Sequence, residues 1–167
     1  MTPAAQNFDS IDWATWTPAE QATLLFVVDD DKVLLIEKKR GIGAGKINGP
    51  GGRVDQGESP MEAAVREVEE ELRVTPIGVR KVGEVLFQVL DGVSIRIHVF
   101  RAEDCRGEPT ETEEAVPMWT PLDTIPFDRM WEDDHLWFPR VLSGPPFEMR
   151  TLFDGDKMVG HDLRNLT

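Results

Sequence analysis

The sequence predicts an α/β domain built on a mixed β-sheet, and three observations support this class. Apolar runs of strand length occur on both sides of one amphipathic segment that begins near Ser59. A second helix-like stretch over residues 127–142 precedes a final hairpin pattern. The chain has 167 residues, the size of one domain with a real hydrophobic core. Strands and helices in this order are typical of helices packed on a sheet.

The composition excludes several classes of protein. The net charge is −13, whereas nucleic-acid polymers are bound through basic patches, so a free nucleotide is a more plausible partner than a polymer. No apolar run approaches the length of a membrane span. The first residues carry acids without an early lysine or arginine, and the single cysteine, Cys105, cannot form an internal disulfide. We therefore expect a cytoplasmic protein without membrane contact, and a monomer.

Residues 1–20 are expected to form an N-terminal extension to a domain that spans residues 21–167. Trp13 and Trp16 stand there among polar residues. Their indoles either cover apolar surface of the same domain or bind a partner, and we favour the first role.

The first predicted strands lead into a glycine-rich loop. Residues 22–28 contain a continuous apolar run, as in a strand covered on both faces, and residues 32–39 form a second strand. Residues 40–52 hold too many glycines for regular structure and form a candidate substrate loop. It is not a phosphate-binding loop of the GxxxxGK[ST] type, because Lys46 is followed by Ile47. Asn48 reads a base edge or satisfies backbone groups, and its residue type slightly favours the second role.

An acidic helix follows the loop. Ser59 can cap it, Pro60 suits its first turn, and Glu62 completes a capping box. Its apolar stripe consists of Ala64, Val65, Val68 and Leu72, whereas Glu67, Glu70 and Glu71 share another face. Close carboxylates suit a hard cation, Mg²⁺ or Mn²⁺, and Arg66 can pair with Glu70. The alternative is a solvated acidic face.

The remaining chain alternates strands and loops. Residues 82–89 and 94–101 are strand-like and are joined through Asp91-Gly92, a hairpin signal. Residues 102–117 are expected to be an acidic loop, from which Glu111, Glu113 or Glu114 can reach a metal. A short strand is expected at residues 118–121, a helix or turn plus helix at 127–142, and a last hairpin around residues 154–156.

The spacing of charges around the acidic helix resembles the signature of the Nudix hydrolases, which cleave a nucleoside diphosphate linked to a further group. Gly52 is followed after five residues by Glu58, and then after seven by the run REVEEELRV at residues 66–74. Arg73 departs from the pattern, because the family has a helix-ending glycine there. Because of this departure the residue at which the helix ends is not predicted, since a non-glycine residue is costly in a left-handed conformation.

The resemblance implies an α/β/α sandwich and a Mg²⁺-dependent site, with Mn²⁺ as a possible substitute. It assigns catalytic roles to Arg66, Glu67, Glu70 and Glu71. It also implies a metal held by the Gly51 carbonyl, Glu67, Glu71 and, from the later loop, Glu114.

A more specific resemblance, from about residue 23 to residue 164, is to the animal MutT homologues, a subfamily that hydrolyses oxidised purine nucleoside triphosphates. The matching words are KKRG, GAG, NG and GG before the signature, and IPF, MW, DD and WFP after it. By that likeness Asn48, Asp133 and Asp134 read the base, and Trp131 stacks on it. Thr23, Lys38 and Phe87 line the pocket, whereas Ile42 replaces an aromatic residue. Trp137 is expected to pack in the core.

Three functions stay open at this point. The favoured one is hydrolysis of oxidised or methylated purine nucleoside triphosphates to a monophosphate and pyrophosphate. The second is another Nudix hydrolase, acting on ADP-ribose, a dinucleoside polyphosphate or a methylated purine nucleotide. The third is a binding module, which has no need of the full set of carboxylates.

Overall fold

The structure is a computed structural model that describes residues 7–166. Within that range the chain forms ten strands and two α-helices: β1 (Glu20–Asp29), β2 (Lys32–Lys38), β3 (Ile47–Asn48), α1 (Pro60–Leu72), β4 (Thr75–Ile77), β5 (Arg80–Val89), β6 (Ser94–Ala102), β7 (Asp104–Arg106), β8 (Ala115–Pro121), α2 (Asp134–Leu142), β9 (Phe147–Asp154) and β10 (Lys157–Asn165). Short 3₁₀ turns lie at Phe8–Ser10, Leu122–Thr124 and Phe127–Arg129.

The main sheet is mixed, as predicted. Its strands follow the order β10-β9-β5-β6-β1-β2-β3, and β8 pairs with β2. The pairs β1–β6 and β5–β9 are parallel, and the other neighbours are antiparallel. β4 and β7 form a separate two-stranded ribbon.

The two helices cover opposite faces of the sheet because β1 is apolar on both sides. Leu25 and Val27 belong to one buried cluster with Val68 and Leu72 of α1. Phe26 and Val28 belong to the other, with a set of α2 side chains that consists of Trp137, Phe138 and Val141. Adjacent residues of a strand point to opposite faces, so this one apolar run fills both cores. The expected sandwich is confirmed, and Trp137 lies in the core as expected, stacked on Phe147.

Helix α1 begins as predicted and ends unusually. The Ser59 hydroxyl accepts the Glu62 N–H at 3.1 Å, and the Glu62 carboxylate accepts the Ser59 N–H at 2.8 Å. At the other end Arg73 adopts the left-handed conformation, with φ 63° and ψ 31°, and its N–H donates to the Glu69 carbonyl. The helix therefore ends in the left-handed geometry that glycine favours, with an arginine in that place.

The expectation of one loop over residues 102–117 is wrong in part. Residues 104–106 form β7, and β8 begins at Ala115, before the predicted residue 118. Ala115, Val116 and Pro117 pair with residues 36–38 of β2. These strands depend on pairing with distant segments, so a three-residue acidic or proline-bearing stretch carries no local signal for them.

The segment before β1 packs on this domain. Phe8 contacts Trp13, and Trp13 contacts Trp16, each with ring centroids 5.6 Å apart. A Cβ on Gly160 of β10 would lie 2.3 Å from the Phe8 Cβ, and the Trp16 indole N–H donates to Gln88 at 2.8 Å. The boundary after residue 20 stays a prediction, and residues 1–6 lie outside the described range. Within residues 7–166 no helix is both long and apolar enough to cross a bilayer.

Candidate active site

One cavity brings together all seven side chains predicted to bind substrate. It has a volume of about 260 Å³ and lies beside β1, β5 and β6, under the glycine-rich loop. The predicted residues that line it are Thr23, Lys38, Asn48, Phe87, Trp131, Asp133 and Asp134. Ile42 lines its rim and is 45% exposed. Segments that are far apart in sequence therefore form one largely apolar cleft with a few polar groups, as expected of a small-molecule site.

Trp131 forms one wall of the cavity and is held by aromatic contacts. Its ring meets Phe87 and Phe153 edge to face, with centroids 5.3 and 5.4 Å away. The glycine loop passes so close that a Cβ on Gly43 would lie 2.9 Å from the indole nitrogen. Because the ring is fixed on several sides, it is a preformed surface for a planar base.

Asp133 and Asp134 form the polar end of the cavity, and each is 3% exposed. Asp133 accepts the Trp137 indole N–H at 2.7 Å, whereas Oδ2 of Asp134 has no hydrogen-bond partner within residues 7–166. Burial raises the pKa of both carboxyl groups, and the neighbouring Asp133 raises the pKa of Asp134 further. Carboxyl groups with raised pKa values hold a proton more readily, and a protonated carboxyl group presents a donor as well as an acceptor to a ligand.

Asn48 has the backbone role that its sequence allowed, and its base-reading role stays a prediction. Its side-chain oxygen accepts the Gly49 N–H at 2.8 Å, which is the backbone role. The residue also lines the cavity. Since the oxygen is occupied by the backbone, the NH₂ group is the part of the amide with donors to offer a base.

On the opposite side of β1, Arg66 organises the carboxylates of α1. Its guanidinium donates to Glu58 at 2.7 Å, to Glu67 at 2.9 Å and to Glu70 at 3.1 Å. The hydrogen bond from Arg66 lowers the pKa of Glu58 to about 2. The expected Arg66–Glu70 ion pair is present, but it is one of four that Arg66 makes, since Asp55 also lies 3.4 Å from the guanidinium, and Glu70 remains 52% exposed.

Glu71 is buried and Glu67 is half-buried, whereas the rest of the acidic face is exposed. Burial raises the pKa of Glu71 to about 8, although its carboxylate accepts the Gly51 N–H at 2.8 Å. Burial also raises the pKa of Glu67 to about 7, against the effect of Arg66. Each carboxylate is further disfavoured by the other acids nearby, including Glu114. A bound cation would offset this negative charge and hold both groups in their ionised forms.

The loop after β7 brings Glu114 to the C-terminal end of α1. The Thr112 hydroxyl donates to the Glu71 carbonyl at 2.8 Å, and the Thr110 N–H donates to the Leu72 carbonyl at 2.9 Å. Glu114 itself pairs with Arg40 at 3.4 Å. The loop thus satisfies the last carbonyls of the helix and sets an acidic residue within electrostatic range of Glu67 and Glu71.

The oxygen donors of this region fit a hard divalent cation, although their side chains do not converge on one point. No set of three or more His, Cys, Asp or Glu side chains within residues 7–166 is arranged to hold a metal. The available donors are carboxylate oxygens, the ligand type that Mg²⁺ prefers. Their charges repel one another, and a bound cation would reduce that repulsion. A Cβ on Gly52 would lie 1.5 Å from Oε2 of Glu67, so only glycine lets the chain pass this carboxylate. The ion pairs with Arg66 and Arg40 occupy Glu67 and Glu114 here.

The sequence reasoning missed Lys46, Glu132 and Asp156 as neighbours of the cavity. Lys46 places its ammonium group 5.0 Å from the centre of the Trp131 ring and pairs with Asp156 at 3.8 Å. Glu132 accepts the Met158 N–H. Asp156 and Met158, the partners of Lys46 and Glu132, lie in the last hairpin. These contacts join segments that are far apart in sequence, so no local sequence pattern indicates them.

The mixed sheet between two helices, with a glycine loop leading to an acidic capped helix, is the architecture of a NUDIX domain. Residues 17–141 match that family, and the chain belongs to it. Its members generally use divalent metal ions.

Particular relatives narrow the comparison. The chain is 44% identical to an oxidized purine nucleoside triphosphate hydrolase of Danio rerio over 84% of its own length and 92% of that protein. The protein of the same name from Mus musculus is 40% identical over 86% of this chain and 94% of its own length. The crystal structure of a mutator MutT protein from Bacillus halodurans superposes with a TM-score of 0.78 at 26% identity, covering 86% of this chain and 97% of that one.

Proposed function

We propose that this protein hydrolyses modified purine nucleoside triphosphates to a nucleoside monophosphate and pyrophosphate. The proposal rests mainly on one observation: the cavity and the acidic face of α1 lie on opposite sides of the same strand, β1. β1 lines the cavity that ends at Asp133 and Asp134, and its other face meets α1 with Glu67 and Glu71. The names of the relatives from Danio rerio and Mus musculus support the same substrate class.

The base is proposed to bind in the cavity, stacked on Trp131. The Asn48 amide and the Asp133–Asp134 pair read its polar edge, because together they offer donors and acceptors in more than one pattern. Thr23 and Phe87 close the walls. Lys38 lies between the two sites, since it lines the cavity and its charge also acts on Glu71. This position supports the proposal that Lys38 binds the phosphates.

The phosphates are proposed to lie along α1, and the residues that would hold Mg²⁺ there are Glu67, Glu71, Glu114 and the Gly51 carbonyl. When bound, Mg²⁺ neutralises phosphate charge and acts as a Lewis acid in the attack of water on phosphorus. Arg66 orients Glu67 and Glu70. Glu70 is the solvent-exposed carboxylate of the group and is available to take the proton of the attacking water.

A nucleotide panel tests the substrate class. We expect pyrophosphate release from 8-oxo-dGTP, 2-hydroxy-dATP and N6-methyl-dATP with Mg²⁺, weaker or equal turnover with Mn²⁺, and none after chelation of the metal. Faster hydrolysis of ADP-ribose or of a dinucleoside polyphosphate than of every triphosphate would show a different Nudix activity.

Asp134→Asn tests the base-reading role. The variant cannot exchange protonation states, so we expect unequal losses of kcat/KM across the three triphosphates, because a charged hydrogen bond is worth about 1.5–3 kcal/mol. The unpartnered Oδ2 predicts that the variant folds. Equal losses on all three substrates would refute the assignment of Asp134.

The proposal includes a monomer that acts on free nucleotides in the cytoplasm. The charge of −13 disfavours a nucleic-acid polymer as substrate. Gel filtration with light scattering and a polymer-binding assay check the oligomeric state and the absence of nucleic-acid binding.

A further inference from the structure

We propose that Arg73, together with Arg40, binds the two phosphates of the substrate that are farthest from the base, in an open cleft at the C-terminal end of α1. This inference rests on the proposed function, because those two phosphates leave as pyrophosphate in that reaction. Arg73 would thus be a binding residue for the leaving group, at the position where this chain departs from the family's glycine.

The cleft lies between the C-terminal end of α1, the residues that follow β2 and the loop before β8. The residues that line it are Lys39, Arg40, Glu70, Arg73 and the loop residues 110–114. The loop is fixed to the helix, since the Thr110 N–H donates to the Leu72 carbonyl at 2.9 Å and the Thr112 hydroxyl donates to the Glu71 carbonyl at 2.8 Å. Backbone hydrogen bonds therefore hold the walls of the cleft in place.

The cleft continues from the site proposed for the reacting phosphate. Lys38 lines the base cavity, whereas the next two residues, Lys39 and Arg40, line the cleft. Glu114, a proposed metal ligand, also lines the cleft, and its carbonyl accepts the Lys39 N–H at 3.0 Å. A triphosphate with its base in the cavity and its first phosphate at α1 would therefore have its last two phosphates at this cleft.

Arg73 is the cation of the cleft that has no ion pair within residues 7–166. Lys39 pairs with Glu111 at 2.6 Å, and Arg40 pairs with Glu114 at 3.4 Å. Arg40 would lose this partner when Glu114 is a metal ligand. Two guanidinium groups without carboxylate partners would then line the cleft, and guanidinium groups match pairs of phosphate oxygens with two parallel hydrogen bonds.

The carboxylates of the cleft determine the form in which pyrophosphate binds. Glu70 is paired with Arg66, but Glu113 has no ion pair in the part of the chain that the structure describes. An anion that enters without a metal would meet this charge and that of Glu114. We therefore expect pyrophosphate to bind as its magnesium complex.

The backbone at Arg73 indicates that the side chain has a use of its own. Its φ of 63° and ψ of 31° are values that glycine adopts without strain and that a residue with a Cβ does not. The helix end is closed by the Arg73 N–H, which donates to the Glu69 carbonyl at 3.0 Å, and glycine would make the same hydrogen bond. The arginine side chain adds nothing to this turn, whereas it does add a cation to the cleft.

Three substitutions separate the side chain from the backbone. Arg73→Ala removes the guanidinium group and keeps the strained backbone, Arg73→Gly removes both, and Arg73→Lys keeps the charge without the planar fork. Arg80 provides the control, since it is also exposed and without an ion pair within residues 7–166, but lies at the start of β5 and does not line the cleft. Arg80→Ala thus removes the same charge elsewhere.

The measurement is the inhibition of triphosphate hydrolysis by the two products in the presence of Mg²⁺. In Arg73→Ala and Arg73→Gly the inhibition constant of pyrophosphate should rise about fivefold or more, and that of the nucleoside monophosphate should stay unchanged. Arg73→Lys should lie between these variants and the wild type, which Arg80→Ala should match. Unchanged inhibition by pyrophosphate in Arg73→Ala, an equal change in Arg80→Ala, or equal weakening of both products overturns the proposal.

A second readout separates this inference from the proposed function. Calorimetric titration of the full chain with magnesium pyrophosphate measures binding without turnover. If the wild type hydrolyses no modified purine triphosphate, the proposed function fails. The titration still tests Arg73: weaker binding by Arg73→Ala than by Arg80→Ala supports its role, and equal binding by the two variants, or no binding by the wild type, overturns it.

Discussion

Arg66 shows how much of the site depends on one side chain. Its guanidinium donates to three carboxylates, those of Glu58, Glu67 and Glu70, and also to the Arg53 carbonyl at 3.1 Å. A guanidinium has five N–H donors in a rigid fork, whereas an ammonium group is a compact point charge. Lysine at this position would leave some of these carboxylate oxygens without donors, so Arg66 orients the acids in a way that charge alone does not.

Glu71→Gln should reduce turnover by at least about a hundredfold while the protein stays folded, because the amide removes a proposed metal ligand. Folding is retained since the glutamine oxygen can still accept the Gly51 N–H, and loss of one of several repelling acids should raise the melting temperature without metal. Steady-state kinetics and thermal melting with and without Mg²⁺ measure both effects.

Glu69→Gln is the matched control, because Glu69 lies on the same helix but bonds the Thr75 hydroxyl at 3.0 Å. It should keep near-normal activity. Near-normal turnover by folded Glu71→Gln would refute its role as a metal ligand.

Among the secondary-structure elements, α1 has a residue sequence that favours helix capping at its N-terminal end but not at its C-terminal end. The start has a complete capping box, whereas the end places Arg73 at φ 63°. A residue with a Cβ is strained there, and glycine is not.

Arg73→Gly should therefore raise the free energy of unfolding by about 1 kcal/mol. Denaturant unfolding followed by circular dichroism measures the change. Arg73→Ala is the control, because it removes the same side chain but keeps the Cβ, and it should bring no such gain. Equal stability of the two variants would show that the left-handed backbone is not the source of the strain.

Elements with strong local signals were predictable from sequence, and elements made by distant pairing were not. The Ser59 box fixed the start of α1, and Asp91-Gly92 located the turn between β5 and β6. β4 and β7 are three-residue strands that pair with each other across about thirty residues of sequence, so neither stretch carries a local signal for a strand. In the same way, Asp133 and Asp134 were identified by resemblance, whereas the place of Lys46 depends on the fold of the last hairpin.

Across the whole molecule, the sheet face that carries α1 continues as a polar network. His98 of β6 is 6% exposed; its Nε2 lies 2.7 Å from the Gln21 side-chain oxygen, and its Nδ1 lies 2.9 Å from the Lys81 ammonium nitrogen. Burial lowers the pKa of His98 to about 4, and Lys81 acts in the same direction. The neutral ring, with its proton on Nε2, satisfies both neighbours.

The protein should lose stability in acid because of His98. The folded state resists protonation until about pH 4, whereas the unfolded chain binds a proton near its usual pKa of 6.5, so the unfolded state is favoured as the pH falls between these values. The loss is about 2–3 kcal/mol from this residue. In His98→Gln the stability curve between pH 7 and pH 4 should be flatter than in the wild type. Parallel denaturation midpoints for the two proteins across that range would contradict the assignment.

Removal of residues 1–17 should lower stability and preserve catalysis. The deletion takes away Phe8, Trp13 and Trp16, which cover Gly160 and Gln88, and spares Glu20, which lines the cavity and pairs with Arg53 at 2.9 Å. Exposure of the covered apolar surface should cost about 1–3 kcal/mol. Thermal melting and kcat/KM on the preferred triphosphate measure the two effects.

Phe8→Ala, which removes one ring of the cluster, should show a smaller loss of stability in the same direction. A truncated protein that melts normally but has lost activity would show that the segment enters the site.

The alternation of side chains along β1 has a consequence for how such an enzyme diversifies. Leu24 and Phe26 belong to the cavity side of the sheet, and Leu25 and Val27 to the side of α1. The strand backbone alone thus separates the residues proposed to read the base from those proposed to hold the reacting phosphates. Mutations on the first face alter substrate preference without displacing the carboxylates, so a lineage can acquire a new nucleotide specificity while hydrolysis is inherited unchanged.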